Sequence, residues 1–106
     1  MQSILNSNLD VLNTVKTLSV TPNSKIRNYS SLYKIGKANI MSVLFFTNAE
    51  IAGEVLFTLP IKANVVIGTL LTTDSGVAAQ IGISNNIISL ANSLPANVTV
   101  GGILVF

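Results

Sequence analysis

The sequence predicts a mainly β protein: an antiparallel, jelly-roll-like β-sandwich of about seven or eight short strands, preceded by a short N-terminal helix. Apolar runs rich in β-branched and aromatic residues recur at roughly 8–12-residue spacing. Pro, Gly, Asn and Asp separate these runs and supply turn chemistry. No alternation of strands and helices, as in parallel sheets, is visible. The 106 residues fit a single domain.

The N-terminal residues 2–18 have the spacing of a short amphipathic helix. Apolar residues at a four-three spacing, with one Asn in the remaining position, form a stripe: Ile4, Asn8, Val11, Val15 and Leu18. We predict a helical stem over residues 1–20 and a linker over residues 21–28, where Thr21-Pro22-Asn23-Ser24 favours a turn. Three arrangements of the stem are open: packing on its own domain, coiling with two sister chains, or an extended or disordered segment.

The predicted head, residues 29–106, holds the strands. These are Ser31–Ile35, Ala38–Thr47, Glu54–Leu59, Val65–Thr73, Val77–Ser84, Ile87–Ala91 and Val98–Phe106. We expect Pro60 to end the third strand, because proline cannot donate a ladder hydrogen bond. Asp74-Ser75-Gly76 and Asn85-Asn86 are predicted turns, and Gly68 is a predicted bulge.

The composition is poor in charge. Charged residues make up 9% of the chain, whereas an average soluble protein carries about 25%. The surface must therefore be mostly uncharged polar, or partly buried against other chains, which favours an oligomer. No apolar run reaches the roughly 18 residues of a membrane-spanning helix, and the first residues lack the pattern of a signal peptide. A net charge of +2 is too small to indicate nucleic-acid binding.

The residue inventory argues against most catalytic chemistry. The chain has no His and no Cys, which excludes a Ser-His-Asp triad and thiolate metal sites. Its carboxylates are Asp10, Glu50, Glu54 and Asp74. Glu50 and Glu54 are close in sequence, and a glycosidase needs two carboxylates, but we expect them to be solvated charges at a sheet edge. No catalytic residue, metal ligand or cofactor site is predicted.

Two further patterns in the sequence concern binding. Tyr29 and Tyr33 lie among basic residues, namely Lys25, Arg27, Lys34 and Lys37. Such interleaving can stack on bases or sugars, but we expect the two rings to pack at the base of the domain with wet hydroxyls. Gly101-Gly102 lacks the spacing of a phosphate-binding loop and indicates a bulge or a tight strand crossing.

Residues 30–106 resemble the C-terminal head domains of bacteriophage tail-fibre, baseplate and receptor-binding proteins. The residues that carry the resemblance are Lys34-Ile35-Gly36, Gly53, Phe57-Thr58-Leu59-Pro60, Asp74-Ser75-Gly76, Gln80-Ile81-Gly82-Ile83, Asn85-Asn86 and Gly101–Phe106. The loop Ile61–Asn64 departs from the family pattern, in which this loop is often Gly- or aromatic-rich and contains a second Pro.

The resemblance implies a non-enzymatic virion protein made in the host cytoplasm. It implies a homotrimeric β-sandwich head that attaches the phage to the host surface, through saccharide at residues that the sequence does not identify. The N-terminal helix would contact other virion proteins. The protein would neither bind nucleic acid nor insert into a membrane. The alternative is a purely structural virion component, such as a collar, head-fibre, baseplate or decoration protein.

Overall fold

A computed structural model describes residues 15–106 of the chain. Strands hold 72% of these residues, and none of them is helical. The strands are β1 Val15–Leu18, β2 Thr21–Pro22, β3 Ile26–Asn28, β4 Ser31–Ile35, β5 Ala38–Thr47, β6 Ile51–Ala52, β7 Val55–Thr73, β8 Ala79–Leu90, β9 Ser93–Leu94 and β10 Thr99–Val105. Over this range no helix is long and apolar enough to cross a membrane.

One antiparallel sheet of eight strands dominates the fold. Its main path is β1-β4-β5-β10-β7-β2, with β3 paired to β5 and β8 paired to β7. A separate two-stranded sheet joins β6 to β9. The short segment that links β2 to β3 connects the β7 side of the sheet to the β5 side. The sheet therefore curls into a half-barrel, in place of the two separate layers that the sequence predicts.

The predicted helix is wrong over its last turn. Residues 15–18 form β1, which pairs antiparallel with β4 from Val15 opposite Ile35 to Leu18 opposite Leu32. Val, Thr and Leu suit a pleated strand, and a neighbouring strand edge satisfies their backbone groups better than a marginal short helix could. Residues 2–14 of the predicted helix lie outside the described residues. Residues 21–28, predicted as a linker, contribute β2 and β3 to the sheet.

The strands β4 and β5 have the predicted bounds. On β5 the odd-numbered residues point to the core and the even-numbered ones point away from it. Such alternation is typical of a sheet with one buried face. The outward residues of β5 are also mostly apolar, so its sequence alternates less clearly than its burial does.

The strand β8 reverses direction at Asn85-Asn86, which confirms the predicted hairpin turn. Ala91 donates its backbone N–H to the Gln80 carbonyl oxygen at 2.8 Å, although a straight strand would hold these two residues roughly 35 Å apart. Asn85 takes a left-handed conformation with φ of 52°. Burial also changes phase across the turn, from odd-numbered Ala79, Ile81 and Ile83 to even-numbered Ile88 and Leu90.

The long strand β7 runs around this hairpin. Its first part pairs with the returning arm of β8, with Thr58 opposite Ile87, and its second part pairs with the outgoing arm. The prediction that Pro60 ends a strand is therefore wrong. Pro60 falls in the register shift between Thr58 and Ala63, where a missing N–H removes no ladder bond. Gly68, with φ of 78°, sits in another register shift, as predicted for a bulge.

The core lies inside the curve of the half-barrel. Phe45 on β5 and Phe57 on β7 are fully buried there, and their rings meet edge to face with centroids 5.7 Å apart and planes at 74°. The core also buries Leu32, Met41, Ile51, Leu56, Ile81, Ile83, Ile88, Leu90, Leu94 and Val100. Long-range contacts between β5, β7 and β8 therefore hold the fold together.

Candidate functional site

A shallow polar cleft opens where β2 meets the start of β7. Its volume is about 370 Å³. Most of its lining side chains end in hydroxyl, amide or charged groups: Thr21, Pro22, Asn23, Ser24, Lys25, Glu54, Val55 and Thr58. Thr21 and Thr58 are direct cross-strand partners. The cleft therefore offers several hydrogen-bonding groups within a small area.

Asn23 builds the wall of the cleft. Its backbone carbonyl accepts a hydrogen bond from the N–H of Ile26 at 3.1 Å, which closes a β-turn. Its side-chain Oδ1 accepts from the N–H of Lys25 at 2.9 Å, and its Nδ2 donates to the carbonyl oxygen of Val55 at 2.8 Å. The turn therefore spans Asn23–Ile26, two residues later than the sequence predicts, because Thr21 and Pro22 pair with β7 as β2. Asn23 ties this turn to β7.

An ion pair crosses the cleft from this turn. The Lys25 ammonium donates to both carboxylate oxygens of Glu54, at 3.1 Å to Oε1 and 2.8 Å to Oε2. The hydrogen bonds from Lys25 hold the pKa of Glu54 below its usual value, and partial desolvation opposes that shift. Glu54 is therefore an anion at neutral pH, and its charge is balanced by Lys25.

The stability that the ion pair contributes depends on pH. Because the folded-state pKa of Glu54 is depressed, the contribution is complete above the ordinary Glu pKa of about 4.3 and is lost as the pH falls through the lower folded value. We expect the urea midpoint of wild type to exceed that of Glu54→Gln at pH 7, by a small margin because the pair is partly exposed. This difference in urea midpoint should disappear at acidic pH, where Glu54 is protonated.

Urea unfolding of both proteins at a series of pH values from 7 down to 2 measures that margin. Glu50→Gln is the matched control, since Glu50 forms no salt bridge within residues 15–106. A margin that stays constant down to pH 2 would show that Lys25 does not stabilise the charged form of Glu54.

The chemistry of the cleft suits binding by hydrogen bonds. Glycoside hydrolysis needs a second carboxylate on the opposite side of the sugar, one of the pair being protonated to act as an acid. Among residues 15–106, Glu54 is the one carboxylate that lines the cleft, and its depressed pKa makes it a poor proton donor. Glu50, considered as its partner from sequence, lies in the exposed loop before β6 and outside the cleft lining.

The cleft and the ends of the described chain lie at opposite ends of the sheet. Asn48, just after β5, donates its N–H to the Lys25 carbonyl at 2.8 Å, which places the cleft at that end of β5. At the other end, Asn39 and Phe106 exchange backbone hydrogen bonds of 2.8 and 2.9 Å. Val15 also lies at this second end, opposite Ile35 on β4. The ten-residue β5 separates the two ends by about 30 Å.

Asp74 has a structural role, because it anchors a turn to the neighbouring strand. Its Oδ1 accepts from the N–H of Thr99 at 3.0 Å, and its own N–H donates to the Thr99 carbonyl at 3.2 Å. These bonds fasten the Asp74-Ser75-Gly76 turn to β10. A second, smaller cleft of about 160 Å³ lies beside the turn, lined by Thr72, Thr73, Gly76, Val77 and Ala78.

The tyrosines and basic residues that are close in sequence are spread over the described part of the fold, and the exposed Tyr29 ring does not pack at the base of the domain as predicted. Tyr33 and Lys34 are successive residues of β4, so they point to opposite faces of the sheet. Lys25 is engaged by Glu54. Tyr29 is exposed in the segment between β3 and β4. Tyr33, Lys34 and Lys25 therefore do not share one surface within the described part of the chain.

The sequence did not identify the cleft, because its two sides come from segments distant along the chain. The turn chemistry of Thr21-Pro22-Asn23-Ser24 marks one side of the cleft. Nothing in the sequence indicates that this segment contacts Glu54 and Thr58. No group of three metal-binding side chains occurs among residues 15–106. Comparisons of the chain with family models, curated proteins and solved structures find no match.

Proposed function

We propose that the protein is a non-enzymatic bacteriophage virion protein, the head domain of a fibre or baseplate, and that it attaches the particle to the host surface by binding saccharide in the polar cleft. The resemblance over residues 30–106 supports the assignment to phage virion proteins. The position of the cleft supports a role in attachment to the host surface.

The observation that carries the proposal is the separation of about 30 Å between the cleft and the end of the sheet that holds Val15 and Phe106. An attachment head must face the particle with one end and the receptor with the other. Here the described chain enters the sheet at Val15, at the end opposite the cleft.

The side chains of the cleft suit a saccharide. Sugar hydroxyls both donate and accept hydrogen bonds, and the hydroxyls of Thr21, Ser24 and Thr58 do the same. The balanced Lys25–Glu54 pair adds strong donors and acceptors without a net charge that would demand a charged ligand. A shallow cleft gives weak affinity at one site, and several copies of the head on one particle would raise the avidity.

Removing one hydroxyl from the cleft should weaken binding without harming the fold. We expect Thr58→Val to reduce retention of the purified protein on bacterial cell-wall polysaccharide several-fold, because valine keeps the shape of threonine and loses its hydrogen bonds. Thr69→Val on β7 is the matched control, since Thr69 is a strand threonine on the same strand as Thr58 and lies outside the lining of the cleft. Retention of the two variants on a panel of wall preparations, measured against wild type, tests the role of the cleft.

Equal retention of both variants would rule out the cleft as the binding site. If wild type binds no wall preparation and instead copurifies with another virion protein, the alternative role applies. That role is a purely structural virion component, and the large uncharged face of the sheet, described next, is the feature that favours it.

A further inference from the structure

The convex side of the sheet carries an extended uncharged surface. We define the outer face as the side of β1, β4, β5, β10 and the last residues of β7 that points away from the core. On β5 it consists of the even-numbered residues from Ala38 to Phe46, and on β10 of the odd-numbered residues from Thr99 to Val105. The register aligns these rows, with Ser42 opposite Ile103 and Ile40 opposite Val105.

Large apolar side chains are exposed along the outer face. Leu44 is 44% exposed, Ile103 71% and Val105 65%. Leu70, 61% exposed, lies on the same side of β7 as Thr72, which pairs with Gly101. Four neighbouring large apolar residues at such exposure form a contiguous apolar patch, a kind of surface that often serves in binding.

The charges of these strands avoid the outer face. Lys16 and Lys34 are paired to each other on the core-facing side of β1 and β4. Arg27, opposite Phe46, is the charged residue at the border of the face. An acidic or basic partner would find no complementary charge in the middle of such a surface, so the occupant must itself be uncharged and apolar.

We infer that the outer face packs against the outer face of a second copy of this chain. An identical surface offers the uncharged, apolar partner that the face requires. The two half-barrels would then form the two layers of a β-sandwich across the interface, at the usual sheet separation of about 10 Å. The inference goes beyond the proposed function and does not depend on it.

The size of the outer face fits a pair of chains. At roughly 3.3 Å along a strand and roughly 4.8 Å between strands, the five strand segments span about 500 Å². Two faces supply at most about 1,000 Å², which is close to the lower limit for a specific interface. A surface that packs on its own copy closes a two-fold dimer. The smallest unit is then a pair, in place of the trimer that the resemblance implies.

Light scattering of the full-length chain across a dilution series tests the inference. We expect wild type to have twice the chain mass of 11.2 kDa, about 22 kDa. Ile103→Lys places a charge in the centre of the face, and we expect it to reduce the mass to that of one chain, because two buried ammonium groups would face each other. Val105→Lys should act in the same direction, so the test does not rest on one variant.

Val65→Lys is the matched control for Val105→Lys. Both are valines on strands, and their exposures are 66% and 65%, but Val65 lies on β7 outside the outer face. We expect Val65→Lys to keep the double mass. Circular dichroism checks that every variant keeps its β structure.

Three results would overturn the inference: a wild type with the mass of one chain, a wild type with three times that mass, or equal effects of Val105→Lys and Val65→Lys. None of these results bears on saccharide binding by the cleft, so the two proposals can fail separately.

Discussion

Replacing Phe57 with Ala is expected to lower the free energy of unfolding by about 3–5 kcal/mol. The ring is fully buried and meets the ring of Phe45 edge to face. Its removal loses the transfer free energy of the ring, the aromatic contact and the packing of the surrounding side chains, because a core of this kind collapses only in part around a cavity. A domain of this size has a total stability of roughly 5–15 kcal/mol, so the variant should be close to unfolding at 37 °C.

Urea unfolding at one fixed protein concentration measures the loss, because the contribution of association is then the same for wild type and for a variant that leaves the outer face unchanged. Phe46→Ala is the aromatic control on β5, since Phe46 is only half-buried. The variants are compared with wild type at a concentration where light scattering shows the same mass for all of them. We expect Phe46→Ala to cost clearly less. Equal losses for Phe46→Ala and Phe57→Ala would mean that the core is not centred on the Phe45–Phe57 pair.

The second large effect concerns Gly102 on β10. A Cβ atom at this position would lie 2.6 Å from Cδ2 of Leu71, which is itself buried. Leu71 would have to leave its rotamer inside a packed core, and overpacking of this kind costs typically 1–3 kcal/mol. We therefore expect Gly102→Ala to be destabilising by about 1–3 kcal/mol in urea unfolding.

The neighbouring glycine provides a control of the same chemistry. A Cβ at Gly101 would meet nothing closer than the Val43 carbonyl oxygen at 3.6 Å, an ordinary contact. Gly101→Ala should then be neutral or stabilising by up to about 1 kcal/mol, because alanine loses less conformational entropy than glycine in a strand. Adding Leu71→Ala to Gly102→Ala should cancel much of the clash, and a double-mutant cycle measures that coupling. Additive losses would show that Leu71 is not the obstacle.

The parts of the fold that the sequence predicted are those governed by local chemistry. The bounds of β4 and β5 follow from their β-branched and aromatic residues. The turns at Asp74-Ser75-Gly76 and Asn85-Asn86 follow from residues that tolerate turn conformations. The bulge at Gly68 follows from the freedom of glycine at positive φ.

The errors arise where distant segments decide the structure. Apolar spacing over residues 2–18 suggested a helix, yet the free edge of β4 draws Val15–Leu18 into a strand. Pro60 should end a strand, yet β7 carries it through a register shift around the β8 hairpin. The polar cleft needs Lys25 beside Glu54, and no periodicity in the sequence reports a pairing across that distance.

The short link between β2 and β3 has a consequence for the folding pathway. The β8 hairpin closes between neighbouring residues, an event that takes roughly 1–10 μs in isolation. β2 can pair with β7, and β3 with β5, only after the chain has brought together segments far apart in sequence. We therefore expect the two edges of the half-barrel to be joined late in folding. In the native state the pairing of β2 with β7 would be among the first contacts to open locally. The cleft would open at the same time, because it exists only while β2 is paired with β7.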